Sequence, residues 1–214
     1  MSPAAAVSVP VLWLVVFAGY LLGSIPFGYL LVRLHSGRDV RFLGSGNIGA
    51  TNVARAAGWV PGLATVSLDA GKGFLAVWLM GHFSGSSIRW MTCAGLAAIL
   101  GHLFPLWLRF SGGKGVATAA GVFLAISWPA VLAAVAGFLI VAIFWRYVSL
   151  ASISAAAALP LLVYLLYAPG HAPPAGVSAG TLLASVLVII RHQANLKRLM
   201  AGKEPRIEFQ RKKQ

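Results

Sequence analysis

Residues 115–145 read GVATAAGVFLAISWPAVLAAVAGFLIVAIFW, a stretch with no charged residue. A helix crosses the ~30 Å hydrocarbon core of a bilayer in about 20 apolar residues. The stretch is too long for one ordinary span and short for two. Ser127-Trp128-Pro129 lies near its middle, and proline interrupts a helix because it lacks an N–H and crowds the preceding turn. The stretch therefore reads as two short spans that meet there. Outward from it, 8–33, 61–82, 89–108, 150–168 and 178–190 qualify as further spans, the last running on into a polar end. The expected fold class is an all-α integral membrane protein with seven transmembrane helices. Residues 1–214 are taken as a single polytopic membrane domain, with 199–214 as a basic tail.

Composition agrees. The chain is 59% hydrophobic and 10% charged, against about 25% charged in soluble domains. Its 17 Lys and Arg face only four acids, Asp39, Asp69, Glu204 and Glu208. Basic loops stay on the cytoplasmic side, near anionic lipid headgroups. With the N-terminus outside, Arg38, Arg41, Arg55, Arg109, Lys114, Arg146 and the tail all fall inside, and only Arg89 falls outside. Trp59, Trp90, Trp107, Trp128 and Trp145 lie at span ends, where indole rings favour the headgroup region. No soluble basic domain is available to dock a duplex, so nucleic acid is excluded as a partner. Cys93, the single cysteine, permits no intrachain disulfide. The N-terminal segment lacks the basic start of a cleavable signal peptide.

Four motifs stand out. Gly44-Ser45-Gly46-Asn47-Ile48-Gly49-Ala50-Thr51-Asn52-Val53-Ala54-Arg55 contains a literal GxGxxG. A dinucleotide fingerprint needs a preceding strand and a βαβ unit, and here a basic loop precedes and a membrane span follows. A glycine-rich turn that opens a helix still makes an anion cradle from free backbone N–H groups and the helix dipole. Gly46, Ser45, Asn47, Thr51, Asn52 and Arg55 are the candidate contributors; the alternative is a flexible loop with a helix cap. The second motif is Ser111-Gly112-Gly113-Lys114-Gly115-Val116-Ala117-Thr118. It is no Walker A loop, because Leu108 and Gly115 stand where Gly and Ser or Thr are required. Gly112, Gly113, Lys114 and Gly115 nevertheless suit a phosphate, or else form a tight turn whose lysine only reports topology.

The third motif is the pair Asp69 and Lys72, spaced to meet on one helix face inside a span. It is either a structural ion pair or a device that aims Lys72 at the anion, with Asp69 orienting it. In the fourth, around the end of the last span, His192 and Asn195 share a face. Ser149 and Ser152 put two hydroxyls on one face of another span, as ligands or as caps. His82 and His102 carry no assigned role. No residue cluster has metal-ligand spacing, so neither a metal nor a cofactor is expected.

Tyr20-Leu21-Leu22-Gly23-Ser24-Ile25-Pro26-Phe27-Gly28-Tyr29, the Gly-Ser-Gly-Asn-Ile-Gly-Ala-Thr-Asn run at 44–52, Gly-Gly-Lys-Gly-Val-Ala-Thr at 112–118, and Arg191-His192-x-x-Asn195-Leu196-x-Arg198-Leu199-x-x-Gly202-x-Glu204 together resemble the acyl-phosphate-dependent glycerol-3-phosphate acyltransferases, the PlsY family. The resemblance runs from about residue 10 to 205, with the motifs in the family's order. It implies a multi-pass enzyme of the bacterial inner membrane with its active site on the cytoplasmic face. Such an enzyme moves a fatty acyl group from acyl phosphate to the 1-hydroxyl of glycerol 3-phosphate. By the match, Ser45 and Arg55 are essential, Lys114 and the glycines beside it hold a substrate phosphate, His192 and Asn195 support activity, and Glu204 is structural. The partners implied are acyl phosphate, glycerol 3-phosphate and membrane lipids, with the chain acting as a monomer. Other glycerol-3-phosphate acyltransferases use a His-x4-Asp pair; His35 and Asp39 are one residue too close for that. The rival class is a membrane transporter of a phosphorylated anionic solute, whose basic helix ends would look similar.

Overall fold

A computed structural model describes residues 7–168 and 170–207. Among the described residues the chain forms ten α-helices and two short 3-10 turns. Helices α1 (Val9–Ser24) and α2 (Phe27–Ser36) follow one another across a break, and after a turn at Val40–Phe42 comes the short α3 (Ala50–Ala57). Then follow α4 (Trp59–Phe83), α5 (Ile88–Leu103), a second turn at Leu106–Leu108, α6 (Val116–Ile126) and α7 (Trp128–Trp145). The chain closes with α8 (Val148–Leu166), α9 (Ala175–Arg191) and α10 (Gln193–Met200). Five segments among the described residues are long and apolar enough to cross a membrane: Val9–Ser36, α4, the segment Ile88–Leu108, α7 and α8. The pair α9 and α10, bent by 56°, makes a sixth. Of the basic tail expected at 199–214, residues 208–214 lie outside the described residues.

The break inside 115–145 falls where the sequence puts it, with Ser127 in non-helical backbone between α6 and α7. Helix α6 has 11 residues, about 16 Å at 1.5 Å per residue, roughly half a hydrocarbon core. A second break was not anticipated. The run 8–33 reads as one span, but Pro26 holds Ile25 in extended backbone, the conformation favoured before a proline. The helix therefore parts into α1 and α2, and the Ile25 carbonyl is released from it. The loop 34–60 is likewise more ordered than its polarity suggests. Val32, Val40, Ile48, Val53 and Leu108 form a separate apolar cluster that seats it on the end of the bundle.

Lipid tails are as apolar as leucine, so helices in a bilayer associate through close packing rather than hydrophobic burial. Glycines supply that closeness. A Cβ on Gly23 of α1 would strike the backbone of Ala98 in α5, and one on Gly101 of α5 would strike the Tyr20 carbonyl of α1. Gly121 of α6 abuts the Ala70 backbone of α4, and Gly73 of α4 abuts Thr118 of α6. The main apolar core gathers around them: Val77, Ile99, Leu103, Val122 and Phe123, extended by Val163 and Val188. Phe144, Leu14 and Leu161 face outward, as lipid-facing side chains do. Trp59, Trp107, Trp128 and Trp145 are exposed at the ends of their elements.

Gly121→Ala should lower stability by about 1–3 kcal/mol, the usual cost of overpacking, because the neighbour it meets is backbone. Gly137→Ala, where an added Cβ meets nothing within 4 Å, should be neutral or slightly stabilising. Thermal unfolding of the two purified variants in one detergent checks the pair; equal Tm values would refute the close-approach argument.

Candidate active site

Three of the four motifs, together with the start of α8, come together at one end of the bundle. The first motif folds around Asn52. This side chain is 2% exposed and sits in the first turn of α3. Its Oδ1 accepts from the Ser45 N–H at 2.9 Å, and its Nδ2 donates to the carbonyls of Leu43, Asn47 and Val40. Asn47 accepts from the Gly49 N–H at 2.8 Å. Gly44 and Gly46 take positive φ values of 54° and 71°, the left-handed region that glycine enters without penalty. Asn52, expected to face a phosphate, is thus consumed in shaping the loop: it makes all its bonds to backbone and keeps none for a ligand. The loop presents the Ser45 hydroxyl, Thr51 and Arg55, all exposed. Arg55 has no hydrogen bond or ion pair among the described residues.

Asp69 and Lys72 meet at 2.7 Å, both nearly inaccessible. The Lys72 ammonium also donates to the freed Ile25 carbonyl at 2.8 Å and lies over the Phe27 ring. The substrate-binding role expected for Lys72 is not what the structure places there. Its charge is spent on the Asp69 carboxylate and on the helix break. Asp69 also faces the buried His102, with Nδ1 at 3.5 Å. His102, left without a role by the sequence, therefore links the ion pair to the second motif. Its ring lies against Gly113, where a Cβ would collide with Nε2.

In the second motif, the N–H groups of Gly112 and Gly113 donate to the carbonyls of Leu103 and His102, at 3.2 and 3.1 Å. Their own carbonyls accept from Arg191, at 3.0 and 3.2 Å. Both glycines, expected to offer backbone donors to a phosphate, have none left. The donors that remain come one step later. Gly115, at φ 84°, caps α6, and the N–H groups of Gly115, Val116 and Ala117 have no acceptor among the described residues. Arg191, quoted in the fourth motif without a role, is the clamp on this turn; only the tertiary contact reveals it.

Lys114 extends from the turn to Asn195 Oδ1 at 2.6 Å. Asn195 Nδ2 donates to Glu204 at 2.7 Å, and Arg198 donates to the other Glu204 oxygen at 2.7 Å. His192 sits at the bend between α9 and α10, 2% exposed. Its Nδ1 lies 2.8 Å from the Val188 carbonyl, which fixes Nδ1 as the donor and leaves the lone pair on Nε2. Ser149 is buried beside Glu204. Ser152 donates to the Val148 carbonyl of its own helix at 2.8 Å, so its hydroxyl is already engaged. His35 is exposed and Asp39 is paired with Arg41, so these two do not act as a pair.

Among known proteins, the family model described as glycerol-3-phosphate acyltransferase matches residues 13–202. The chain belongs to the glycerol-3-phosphate acyltransferase family. A glycerol-3-phosphate acyltransferase of Mesorhizobium japonicum is 48% identical over 189 residues, covering 88% of this chain and 92% of that one. One from Rhodospirillum rubrum is 45% identical and covers 94% of each. The crystal structure of PlsY (YgiH), an integral membrane glycerol 3-phosphate acyltransferase, in its glycerol 3-phosphate form, superposes with a TM-score of 0.86 at 39% identity. That match covers 94% of this chain and 100% of the other. The lysophosphatidic acid form of PlsY gives 0.83 at 38% identity. The matched residues 13–202 take in the first three motifs and the fourth as far as Gly202.

Electrostatics at this end favour an anion. Burial holds the Lys114 ammonium down to about 8, from an ordinary 10.5. Glu204 pulls it back up, and the charges of Arg198, Arg191 and Arg55 push it further down. A phosphate dianion among these cations is attracted by all of them, and the charged lysine is the form that binds it. Lys114 carries that charge below pH 8 and loses it as pH rises through about 8. The value of kcat/KM for a phosphorylated substrate, which reports the free enzyme, should therefore fall on the alkaline side with an apparent pKa near 8. Lys114→Ala should remove that limb. It should also raise KM at pH 7 about ten- to hundredfold, from the ~1.5–3 kcal/mol of a charge-assisted contact. An alkaline limb unchanged in Lys114→Ala would refute the assignment.

Proposed function

We propose that this chain transfers a fatty acyl group from acyl phosphate to the 1-hydroxyl of glycerol 3-phosphate, yielding lysophosphatidic acid and inorganic phosphate. One observation carries the reading: Lys114 and the free N–H groups opening α6 lie within reach of the charges of Arg55, Arg191 and Arg198, at the end of an otherwise apolar bundle. Both substrates are phosphorylated, and one trails an acyl chain that the surrounding lipid accommodates. An acyl phosphate is a mixed anhydride with phosphate as leaving group. Its transfer needs positioning and charge stabilisation more than a covalent enzyme intermediate.

The hydroxyl oxygen attacks the acyl carbonyl carbon, the bond from that carbon to the phosphate oxygen breaks, and the hydroxyl proton leaves. His192 Nε2 and an oxygen of the departing phosphate are the two acceptors available. Arg55 grips a phosphate through its planar fork, with the Ser45 hydroxyl donating beside it and Thr51 and Gly46 at the same turn. Lys114 and Gly115 hold the other phosphate, and Asn195 orients Lys114. Asn52, Asn47, Lys72, Gly112, Gly113 and Ser152 support these groups through the backbone. One chain carries every group named, so a monomer suffices.

Purified protein in detergent, which has no sealed compartment and so cannot report transport, tests the activity. Lysophosphatidic acid should form from acyl phosphate and glycerol 3-phosphate, with acyl-coenzyme A a poor donor, as the motif resemblance implies. Arg55→Lys should lose most of that activity with an unchanged size-exclusion profile, and Ser45→Ala should be severely impaired. No turnover by the unmodified protein would overturn the function. Near-normal turnover by Arg55→Lys would overturn only the role of the guanidinium fork.

The topology that goes with this reading has seven crossings, with α6 as a short one, the N-terminus outside, and Lys114 on the cytoplasmic face of the bacterial inner membrane. The charge asymmetry of the loops supports it. Single cysteines in a Cys93→Ser background at 83–88 and 170–174 should label from outside, and at 109–111 only after permeabilisation. Labelling of 109–111 from outside would reverse the orientation.

A further inference from the structure

The polypeptide after α10 turns back across the end of the bundle and docks on the corner between α7 and α8. At that corner Arg146 takes a left-handed backbone with φ 61°, a conformation uncommon for a residue other than glycine. Its Nε and Nη2 both donate to the Ile207 carbonyl, at 3.0 and 2.6 Å, and its own carbonyl accepts from the Ile207 N–H at 2.7 Å. Arg206 lies over the Tyr147 ring and donates to its hydroxyl at 2.9 Å. At the near end, the Lys203 N–H donates to the Arg198 carbonyl at 2.8 Å. The segment 203–207 is thus tied down at both ends. Glu204 lies between the ties, with one oxygen on Asn195 and the other on Arg198.

We infer that Arg146 is a positioning residue: it fastens the 203–207 strap so that Glu204 holds the Asn195 amide with its oxygen toward Lys114. The argument rests on amide geometry. Asn195 has one acceptor end and one donor end. Glu204, as a carboxylate, accepts only, so it must take the NH2 end, which leaves Oδ1 for the ammonium. Without the carboxylate, nothing on the strap dictates which end of the amide meets Lys114. The strap also brings into the basic cluster a negative charge that keeps Lys114 protonated. The charged and titratable groups acting on Lys114 from the elements around it are Glu204 and Arg198 at the strap, Arg191 and His192 at the end of α9, and Arg55 on α3. Glu204 is the only anion among them. The pKa of Glu204 is itself lowered: burial raises it, but the hydrogen bonds from Asn195 and Arg198, with the Ser149 hydroxyl beside them, outweigh burial, so it is ionised at neutral pH.

This inference rests on the acyltransferase reading, and its test separates the two. Arg146→Gly suits the corner's φ and deletes the guanidinium with the rest of the side chain. Deleting a positive charge, by itself, would make Lys114 easier to protonate and would move the alkaline limb of kcat/KM to higher pH. Loosening the strap draws Glu204 away and moves the limb to lower pH, by roughly half a unit or more. The sign therefore decides. The expected result is a downward move in Arg146→Gly and in Glu204→Gln, no further move when the two are combined, and partial recovery in Arg146→Lys. A limb that stays in place or moves up in Arg146→Gly overturns the inference while leaving the activity intact. Absence of acyl transfer in the unmodified protein overturns the reading beneath it. If Arg146→Gly does not purify as a single species, Arg146→Lys, which keeps the charge and loses the two-pronged hold on the Ile207 carbonyl, should move the limb down by less; an unmoved limb there overturns the inference equally.

Discussion

A lysine ammonium buried among membrane helices has to be met on every side, and Lys72 is met by one carboxylate and one backbone carbonyl. That carbonyl is available only because Pro26 breaks the helix before it. The break and the charge therefore depend on each other: outside the helix the Ile25 carbonyl has the Phe27 N–H at 3.1 Å and the ammonium as its donors, and an unmatched ammonium in the apolar interior is costly. Together they fix where α2 departs from α1 relative to α4. Asp69 faces His102, His102 lies under Gly113, and so the same contact sets the height of the Lys114 turn against the rest of the bundle. The Gly28 backbone lies against the Ile48 carbonyl, which brings the first motif to the same end. A candidate site built from short glycine-rich loops is only as accurate as its footing, and this footing is electrostatic at its centre and close-packed around it.

The elements that the sequence made legible are those whose signal is local. Ser127-Trp128-Pro129 breaks its helix because proline acts on its own turn, and the apolar runs declare themselves through composition. The candidate site groups came from motif resemblance to a family to which the chain belongs. What the sequence could not show depends on distant partners. Pro26 lies in an apolar run as innocuous as any other until Lys72 reaches its freed carbonyl. Asn52 carries the same amide as Asn195, yet one is buried against three carbonyls and the other spans a lysine and a glutamate. His102 looked idle because its partner, Asp69, lies on another helix. Arg191 looked like a topological marker because its acceptors are carbonyls of residues 112 and 113.

The glycines of the second motif show why residue type alone misleads. Gly-Gly-Lys-Gly invites the assumption that every N–H in the turn faces a phosphate. Two of them are instead paired with the last carbonyls of α5, groups that any helix end leaves unsatisfied. The turn thereby caps one helix with its first half and opens the next with its second. Only the second half, from Lys114 into α6, points unpaired donors and a positive dipole end at one place. The requirement for glycine at 112 and 113 is steric: Pro105 and the His102 ring leave no room for a Cβ.

Two lysines, Lys72 and Lys114, lie within one network and have opposite fates, and the difference is in their partners. Lys72 meets an ionised carboxylate directly, so its charge is cancelled where it stands and nothing remains to attract a ligand. Lys114 meets a neutral amide oxygen, and its nearest anion is one side chain away. The amide satisfies the ammonium's geometry without neutralising it, while three arginines nearby make the unliganded charge uncomfortable. Under the proposed function a phosphate dianion would relieve that discomfort as it binds, and the site would favour doubly charged groups over singly charged ones. Direct contact with Glu204 would have quenched this preference, and complete removal of Glu204 would leave the lysine too readily deprotonated to express it. The interposed Asn195 holds the carboxylate at the distance where it sustains the charge without consuming it.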